Sequence, residues 1–430
     1  MLDFLSSKDE PTQSVRCPVH GFIHYSANER KIIDHPVFRR LRNVRQLALC
    51  SYVYPGAMHT RFEHSLGVME MTTRAFTIVA LKHEKKLVEE LAQIPELKDD
   101  TLAKARQVVR LFGLLHDSGH PAFSHAAESL VPGEKHENVS IYVIKEVLGS
   151  LIDGTFFQGA VALLVRLMEK SPELVFLRQF VAGEIDMDRT DYLLRDSLHC
   201  GVEYGKFDFR QLLEALTVFP NTDTGRLELA IERGGEHAFE ALILARYQMN
   251  TQVYYHKIRR IYDHYLNLYL KLRFPSGYAD FDEVLRYDDL RLLVEIASDA
   301  ESENERSAIA KKIIHRTHHK VVFQTGDGAD VFALKRAKRV HDTLTKKFAD
   351  TDFFLDNAVG SIHKLSVPGD QDDSKVEDFF IVEKDGRTKL LTDDSAILKK
   401  IPKTFRVVRI FADADKETLA KIAAAAEEVD

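Results

Sequence analysis

The stretch FGLLHDSGHPAFSH, residues 112–125, decides how the rest of this 430-residue sequence is interpreted. An apolar run, Val108 to Leu115, comes first and is long enough for about two helical turns. The pair His116–Asp117 follows it, and His120 and His125 come soon after. Three imidazoles and a carboxylate beside an apolar segment are costly to bury unless a partner satisfies them. A divalent cation is their ordinary partner, so the stretch predicts a metal site.

The backbone is expected to turn directly after the second histidine of this stretch. Pro121 has no backbone N–H and cannot occupy a helix interior. If the helix did continue as far as His120, that residue and His116 would share one helix face, because they are four residues apart. His125 then belongs to whatever segment follows the turn.

Composition bounds the class of protein. With 45% hydrophobic residues the chain can bury a large core, and the net charge of −7 argues against general or sequence-specific nucleic-acid binding. The three cysteines, Cys17, Cys50 and Cys200, form no CxxC pair, which argues against disulfides and thiolate zinc. The segment Met1 to Gln13 is polar, and no apolar run reaches the ~18 residues of a membrane span, so we expect a cytoplasmic protein without a membrane anchor.

The first part of the chain has mostly helical patterns. Ser26 and Glu29 form a capping box at the start of a helix. Further helices are predicted over Phe38–Leu47, from His59–Val68 to about Lys82, and over Ala238–Leu272. The block Gly183–Asp196 is acidic and compatible with a helix.

The pattern changes in the last third of the chain. Strands are predicted at Val321–Phe323, Phe379–Val382 and Phe405–Ile410, and Asp385–Gly386 marks a hairpin turn. Ser366–Glu377 is acidic and is expected to be a mobile loop.

The predicted fold is therefore mostly α, with two parts. Residues 1–275 would form a helical catalytic core. Residues 276–430 would form a smaller mixed α/β region, with a role in oligomerisation or regulation. The boundary falls between about residues 275 and 320, where the helical pattern gives way to acidic, polar sequence.

Four side chains could complete one octahedral metal site, although they lie far apart in the sequence. They are His64, His116, Asp117 and Asp188. Two imidazoles and two carboxylates suit borderline metals and leave positions for water and phosphate. From spacing alone, Asp186 and Asp191 compete with Asp188 for the fourth position.

Such a site suits the hydrolysis of a phosphate ester, because a bound cation lowers the pKa of water and polarises the phosphoryl oxygen. The leaving alkoxide needs a proton donor, and the remaining phosphate charges need cationic partners. His120, His125 and His136 are candidate donors or phosphate contacts. Arg61 and Arg189 are candidate clamps, since guanidinium groups make forked contacts to phosphate.

Three blocks together are much more specific than any one of them: HTRFEHSLGV (59–68), HDSGHPAFSH (116–125) and IDMDRTDY (185–192). The combination resembles the HD-domain phosphohydrolase superfamily, and within it the deoxynucleoside triphosphate triphosphohydrolases, which include the vertebrate sterile-alpha-motif/HD enzyme. The resemblance runs from about Pro18 to His256. It implies the one-step release of tripolyphosphate from a dNTP, a divalent metal (Mn, Mg, Fe, Ni or Zn), a nucleotide effector, and a homodimer or homotetramer.

The resemblance also implies roles for single residues. Asp188 becomes the ligand that joins His64, His116 and Asp117. His125 is implied as the general acid, with Glu128 behind it, while His120 and His136 face the phosphates. The implied substrate contacts are Gln46, Leu47, Arg61, Arg189, Tyr192, Asp196, Arg246, Asn250 and Tyr254.

An effector site is also implied, but the sequence departs from the family pattern there. It would contain Arg16, Asp34, Arg39 and Arg42; the first and third of these replace an amide, and Gln13 replaces a basic residue. Asn250 stands where the vertebrate-type enzyme has a histidine on the base side, so the base preference is open. Two rival functions remain at this point: a phosphohydrolase acting on a ribonucleotide, alarmone or monophosphate, and a nucleotide sensor with little turnover.

Overall fold

A computed structural model describes residues 12–365 and 378–429 of the chain. The predicted loop Ser366–Glu377 lies outside the described residues. The helices are α1 (Ala27–Ile33), α2 (Pro36–Arg39), α3 (Arg61–Leu91), α4 (Thr101–Leu115), α5 (His136–Tyr142), α6 (Gly149–Thr155), α7 (Ala160–Met168), α8 (Val175–Gln179), α9 (Met187–Cys200), α10 (Phe209–Glu214), α11 (Glu236–Met249), α12 (Lys257–Arg273), α13 (Phe281–Arg286), α14 (Asp289–Ala300), α15 (Ser307–Ile314), α16 (Val331–Lys347), α17 (Leu391–Asp394) and α18 (Lys416–Glu427). The strands are β1 (Gln13–Cys17), β2 (Gly21–Tyr25), β3 (Leu216–Asn221), β4 (Arg226–Glu232), β5 (Lys320–Gln324), β6 (Asp352–Ser361), β7 (Phe380–Val382), β8 (Thr388–Leu390) and β9 (Thr404–Asp413).

The prediction of a mostly α fold is confirmed, with small sheets added to it. The strand orders are β1-β2, β3-β4-β7-β8 and β5-β9-β6. Because β7 pairs in parallel with β4, a C-terminal segment completes a sheet that begins in the helical part. The two-part division at residue 275 stays a prediction. In the described part of the chain, no helix combines the length and apolarity needed to cross a bilayer.

The helix pair α3 and α4 forms the centre of the main core. Thr60 and Glu63 form a capping box that starts α3, and the helix departs from helical geometry at His83 (φ −132°). The break expected near Lys82 is therefore a kink inside one long helix. On α4, a Cβ at Gly113 would lie 3.1 Å from the carbonyl oxygen of Val68, so the two helices approach closely there.

Helix α4 ends at Leu115, before the polar half of the organising stretch. His116 is its C-cap, and residues 116–119 form a turn that leaves His120 outside the helix. The Gly119 N–H donates to Ser140 Oγ at 2.9 Å, which ties this turn to α5. The turn therefore begins five residues before Pro121.

The helix predicted over Phe38–Leu47 is wrong beyond its first turns. A 3₁₀ turn covers Arg40–Asn43, and the backbone after it is extended. The Gln46 N–H donates to the carbonyl oxygen of His59 at 3.0 Å, and the Arg61 N–H donates to that of Val44 at 2.9 Å. These long-range hydrogen bonds outweigh the local helix propensity and bring Gln46 beside Arg61.

The long helical region predicted over Ala238–Leu272 is interrupted near its middle. A wide helical turn over Asn250–Tyr254 ends α11, and α12 begins again at Lys257. His256 caps the new helix, because its side chain accepts from the Ile258 N–H. Tyr254 therefore lies at a bend between two helices.

Gly67 on α3 provides a test of how tightly α3 and α9 pack. A Cβ at this position would overlap the carboxylate of Asp191 and the guanidinium of Arg195, both buried on α9. We expect Gly67→Ala to destabilise the fold by roughly 1–3 kcal/mol, as overpacking of a filled core does. Thermal unfolding followed by circular dichroism measures the effect.

Gly154→Ala in α6 is the matched control. Nothing lies within 4 Å of a Cβ built there, so this helical substitution should be neutral or slightly stabilising. A Gly67→Ala protein that unfolds at the wild-type temperature would contradict the close approach of α3 and α9.

Candidate active site

The start of α3, the end of α4 and the first turn of α9 bring the four predicted metal ligands together. His64 Nε2 lies 3.0 Å from Asp188 Oδ1 and 3.6 Å from Asp117 Oδ2. His116 Nε2 lies 3.6 Å from Asp188 Oδ1 and 3.5 Å from Asp117 Oδ1. His64, His116 and Asp188 therefore lie close enough together to hold one ion, and Asp117 lies beside both imidazole nitrogens.

The opposite sides of the two imidazoles are already fixed by hydrogen bonds. His64 Nδ1 lies 2.8 Å from Asp191 Oδ2, and His116 Nδ1 lies 2.8 Å from the carbonyl oxygen of Gly113. These oxygens only accept, so each Nδ1 carries a proton, and in the neutral ring each Nε2 presents a lone pair. Both Nε2 atoms are buried without a hydrogen-bond partner. This donor set fits a divalent cation.

The electrostatic environment of the cluster also favours a bound positive charge. Burial opposes a charge on His64, but the nearby carboxylates of Asp188 and Asp191 outweigh burial and raise its pKa to about 10, so a proton occupies Nε2 when no metal ion does. Burial also opposes the charge of Asp117, yet Arg61 and the neighbouring histidines hold its pKa well below the ordinary value. The carboxylates therefore stay ionised and stabilise a cation between them.

The three aspartates that could each provide the fourth metal ligand have different surroundings in the structure. Asp186 caps α9, since its carboxylate accepts from the backbone N–H groups of Arg189 at 2.6 Å and Gly183 at 3.1 Å. Asp191 is buried between His64, His20 and Arg195. Of the three, only Asp188 approaches His64 and His116 together.

A second group of histidines lies beside the first. His120 stacks on His136 with ring centroids 3.7 Å apart, and its Nε2 lies 3.3 Å from Asp117 Oδ1. Glu128 bridges the group, because its carboxylate accepts from His125 Nδ1 at 2.8 Å and His136 Nδ1 at 2.5 Å. Burial, together with Arg61 and His136, lowers the pKa of His120 well below its ordinary value, so this ring is neutral.

The two candidate arginine clamps are placed differently. Arg61 is buried, and its guanidinium donates to Ser124 Oγ at 2.7 Å and to Asp117. Arg189 instead lies beside acidic residues, with Nη1 3.4 Å from the Glu184 carbonyl oxygen and Nε 3.5 Å from Asp186 Oδ2. Arg61 therefore contacts a predicted metal ligand, Asp117, whereas the Arg189 guanidinium lies against Glu184 and Asp186.

Two cavities meet at this cluster. One, of about 320 Å³, is bordered by three of the predicted metal ligands, His116, Asp117 and Asp188. The other, of about 450 Å³, is lined by the residues predicted to contact sugar and base: Gln46, Leu47, Tyr192, Asp196, Arg246, Asn250 and Tyr254. The side chains that border both cavities include Gln46, Arg61, His125 and Tyr192. A ligand that extends from one cavity to the other would pass these four.

The second cavity contains a hydrogen-bonded polar wall. Asp196 is buried, and its carboxylate lies 2.7 Å from the Tyr254 hydroxyl and 2.6 Å from His59 Nε2. The Tyr254 ring packs edge-on against Tyr192 with centroids 6.1 Å apart. Burial, reinforced by the charge of Asp196, raises the pKa of Tyr254 well above its ordinary value, so its hydroxyl is a donor. Asn250 donates to the Arg246 carbonyl oxygen at 2.8 Å.

The predicted effector residues are only partly brought together. Arg16 and Arg42 line one cavity of about 290 Å³, where the Arg42 guanidinium lies 3.6 Å from the centre of the Phe62 ring. Asp34 pairs instead with Arg30 at 3.0 Å on the exposed side of α1. Arg39 is exposed and does not line this cavity.

Several residues of the site were not identified from sequence. His20, His59 and Arg195 support Asp191 or Asp196 through buried hydrogen bonds. The spacing of Asp191 and Arg195, one helical turn apart, was a usable indication of that pair. The supporting roles of His20 and His59 were not predicted, because their partners, Asp191 and Asp196, are distant in the chain.

Comparisons with known proteins agree with this geometry. Residues 61–196 match the HD domain family, and residues 207–351 match the HD associated region. An uncharacterized protein of Methanocaldococcus jannaschii is 33% identical over 279 residues, covering 65% of this chain and 54% of that protein. Deoxynucleoside triphosphate triphosphohydrolase SAMHD1 of Gallus gallus is 33% identical over 234 residues, covering 46% of this chain and 35% of that enzyme.

The fold is also similar to solved structures. The crystal structure of a hypothetical protein from Aquifex aeolicus has a TM-score of 0.77 and 27% sequence identity, and the match covers 96% of this chain and 99% of that one. By contrast, the chain spans only about half the length of the first curated relatives it matches.

Metal titration tests the ligand cluster. Manganese added to metal-free protein should stabilise the fold by roughly 2.7 kcal/mol at a 100-fold excess over its Kd. Asp188→Asn should weaken manganese binding by roughly 100-fold or more, because it removes a charged ligand. Electron paramagnetic resonance of the free ion measures the affinity.

Asp263→Asn is the control variant, since this carboxylate lines the second cavity and not the first. It should bind manganese as the wild-type protein does. Equal manganese affinity in the Asp188 and Asp263 variants would contradict the assignment of the ligands.

Proposed function

Because the chain belongs to the HD-domain phosphohydrolase superfamily, we propose that it hydrolyses deoxynucleoside triphosphates to deoxynucleoside and tripolyphosphate in a metal-dependent reaction. The observation that carries the proposal is the junction of the two cavities. The metal-ligand residues border one cavity, and the sugar and base candidates line the other.

His64, His116, Asp117 and Asp188 would hold the cation. A divalent ion there would supply Lewis acidity for the attack of water on the α-phosphorus. The chain contributes the orientation of both imidazoles, because Asp191 and the Gly113 carbonyl fix their Nδ1 protons. The carboxylates stay ionised, since the nearby cationic groups hold the pKa of Asp117 low.

His125 is the best-placed proton donor for the leaving group. Cleavage of the bond between the α-phosphorus and O5′ leaves an alkoxide at the point where phosphate meets sugar. His125 borders both cavities and its side chain is 61% exposed, so it can reach a ligand there. Because Nδ1 donates its hydrogen bond to Glu128, Nε2 is the atom that would deliver a proton to O5′.

The phosphate tail would lie along the histidines and basic groups of the first cavity. Arg61, His120 and His136 border it together with Lys170 and Arg178. Arg61 donates to Asp117 and Ser124 and borders both cavities, so its guanidinium could also contact a phosphate oxygen beside the ligand cluster. Neutral His120 can donate a hydrogen bond to a phosphate oxygen without adding charge.

The sugar would meet the polar wall of the second cavity. Asp196 and Tyr192 would bind the 3′-hydroxyl; both line this cavity, as do Arg61 and Gln46. The Tyr254 ring is held by its hydrogen bond to Asp196 and by Tyr192, so it cannot move aside freely. A rigid ring against C2′ would exclude the 2′-hydroxyl of a ribonucleotide by steric overlap.

The proposed reaction is tested by its products. Incubation with each dNTP and Mn²⁺ or Mg²⁺ should release tripolyphosphate and a deoxynucleoside, because attack occurs at the α-phosphorus. Ion chromatography separates tripolyphosphate from phosphate and pyrophosphate. Release of monophosphate or diphosphate, or faster turnover of ribonucleotides than of dNTPs, would contradict the proposal.

The role of His125 is tested with two kinds of leaving group. His125→Ala should lower dNTP turnover by roughly 10²–10⁴-fold, as the loss of a general acid does. A p-nitrophenyl phosphate ester has a leaving group that needs no proton, so its hydrolysis should fall far less. Steady-state rates for both substrates give the comparison, and an equal loss for both would rule out proton donation by His125.

A further inference from the structure

A further cavity, of about 900 Å³, is larger than either cavity of the candidate active site. It lies between the turn that joins β1 to β2 and the helices α3, α4 and α10. The residues predicted as metal ligands, catalytic groups, substrate contacts or effector contacts do not line it. Its lining therefore needs an explanation of its own.

The lining carries an excess of positive charge. Four arginines and two glutamates border the cavity, which gives a formal charge of +2. Two of the arginines are already paired: Arg110 with Glu29, and Arg74 with Glu70 at 2.8 Å. The other two arginines, Arg106 and Arg210, share the lining with one further carboxylate, Glu214, so a net charge of +1 remains after these pairs.

Arg106 and Arg210 have no carboxylate partner within 4.0 Å among residues 12–365 and 378–429. Within the part of the chain that the structure describes, the Arg106 side chain makes one hydrogen bond, a long contact of 3.4 Å to Thr77 Oγ1. Burial and the charge of Arg110 lower the pKa of Arg106 more than the charges of Glu29 and Glu70 raise it, so Arg106 lies where positive charge predominates. An anion between Arg106 and Arg210 would balance this charge.

His20 adds a second, independent indication of a ligand. Its side chain is fully buried, it lines the cavity, and its Nδ1 has no hydrogen-bond partner. Buried polar atoms normally have partners, so this nitrogen is suited to a polar group of a ligand. The other nitrogen, Nε2, lies 2.5 Å from Asp191 Oδ1.

This hydrogen bond connects the cavity to the metal ligands. Asp191 holds His20 with one carboxylate oxygen and His64 Nδ1 with the other, at 2.8 Å. A shift of the His20 ring would therefore move the Asp191 carboxylate, which holds the predicted metal ligand His64 in place. Such ligand support commonly changes metal affinity by roughly 10–100-fold when it is removed.

We propose that this cavity binds a phosphorylated small molecule and that its occupancy is coupled to the metal centre through His20. Arg106 and Arg210 would bind the phosphate, and the apolar side chains of Ile78, Phe209 and Leu213 would contact the rest of the molecule. The site is separate from the predicted effector cavity at Arg16 and Arg42. The proposal goes beyond the hydrolytic function and does not depend on which nucleotide is hydrolysed.

The binding site is tested by calorimetric titration of the metal-free full chain with inorganic pyrophosphate. The double variant Arg106→Gln/Arg210→Gln removes both free guanidinium groups, and each position is at least partly exposed, so the fold should persist. The control, Lys335→Gln/Lys338→Gln on α16, removes the same charge from an exposed surface.

The double variant should bind one pyrophosphate fewer per chain than the control, or bind it roughly tenfold more weakly or worse. Equal stoichiometry and affinity in the two variants would overturn the site, and unchanged thermal midpoints confirm that both fold.

The coupling is tested with sulfate, a tetrahedral dianion that binds manganese weakly. Manganese affinity is measured by electron paramagnetic resonance in sodium sulfate and in sodium chloride of equal ionic strength. Sulfate should change the manganese Kd of the control by roughly fivefold or more, and change that of the double variant much less. An identical sulfate effect in both variants would show that the cavity is not coupled to the metal ligands.

Discussion

The structure depends on one electrostatic constraint: two buried imidazole nitrogens without hydrogen-bond partners face two ionised carboxylates. His64 and His116 present these nitrogens because Asp191 and the Gly113 carbonyl fix their opposite sides. Asp117 and Asp188 bring the negative charge within 3.0–3.6 Å of them. Ionised carboxylates buried this close together are costly without positive charge between them, and a bound divalent cation would supply that charge.

The packing of three helices follows from that constraint. The ligands come from the start of α3, the end of α4 and the start of α9, so these helix ends must meet. Small residues permit it: Gly113 lets α4 approach α3, and Gly67 leaves room for Asp191 and Arg195. Asp191 then links two parts of the structure. One carboxylate oxygen binds His64 in the predicted metal site, and the other binds His20 beside the basic cavity.

The sequence predicted the parts of the site whose chemistry is concentrated in short motifs. His64, His116, Asp117 and Asp188 lie near one another, and the sugar and base candidates line one adjoining cavity, while the roles of these residues stay predictions. Parts that depend on long-range contacts were not predictable. The helix expected over Phe38–Leu47 gave way to backbone pairing with residues 59–61, and His20 and His59 have partners far along the chain. Spacing alone could not separate Asp186 from Asp188, because that choice depends on which carboxylate caps α9.

The account is tested most directly by locating the metal. Crystals of the full chain grown with Mn²⁺, measured with X-rays on both sides of the manganese absorption edge, give an anomalous map that shows the ion independently of the protein atoms. We expect a peak that contacts His64 Nε2, His116 Nε2 and the carboxylates of Asp117 and Asp188. A map with no peak among these four side chains, or with Asp188 turned away from the histidines, would contradict it.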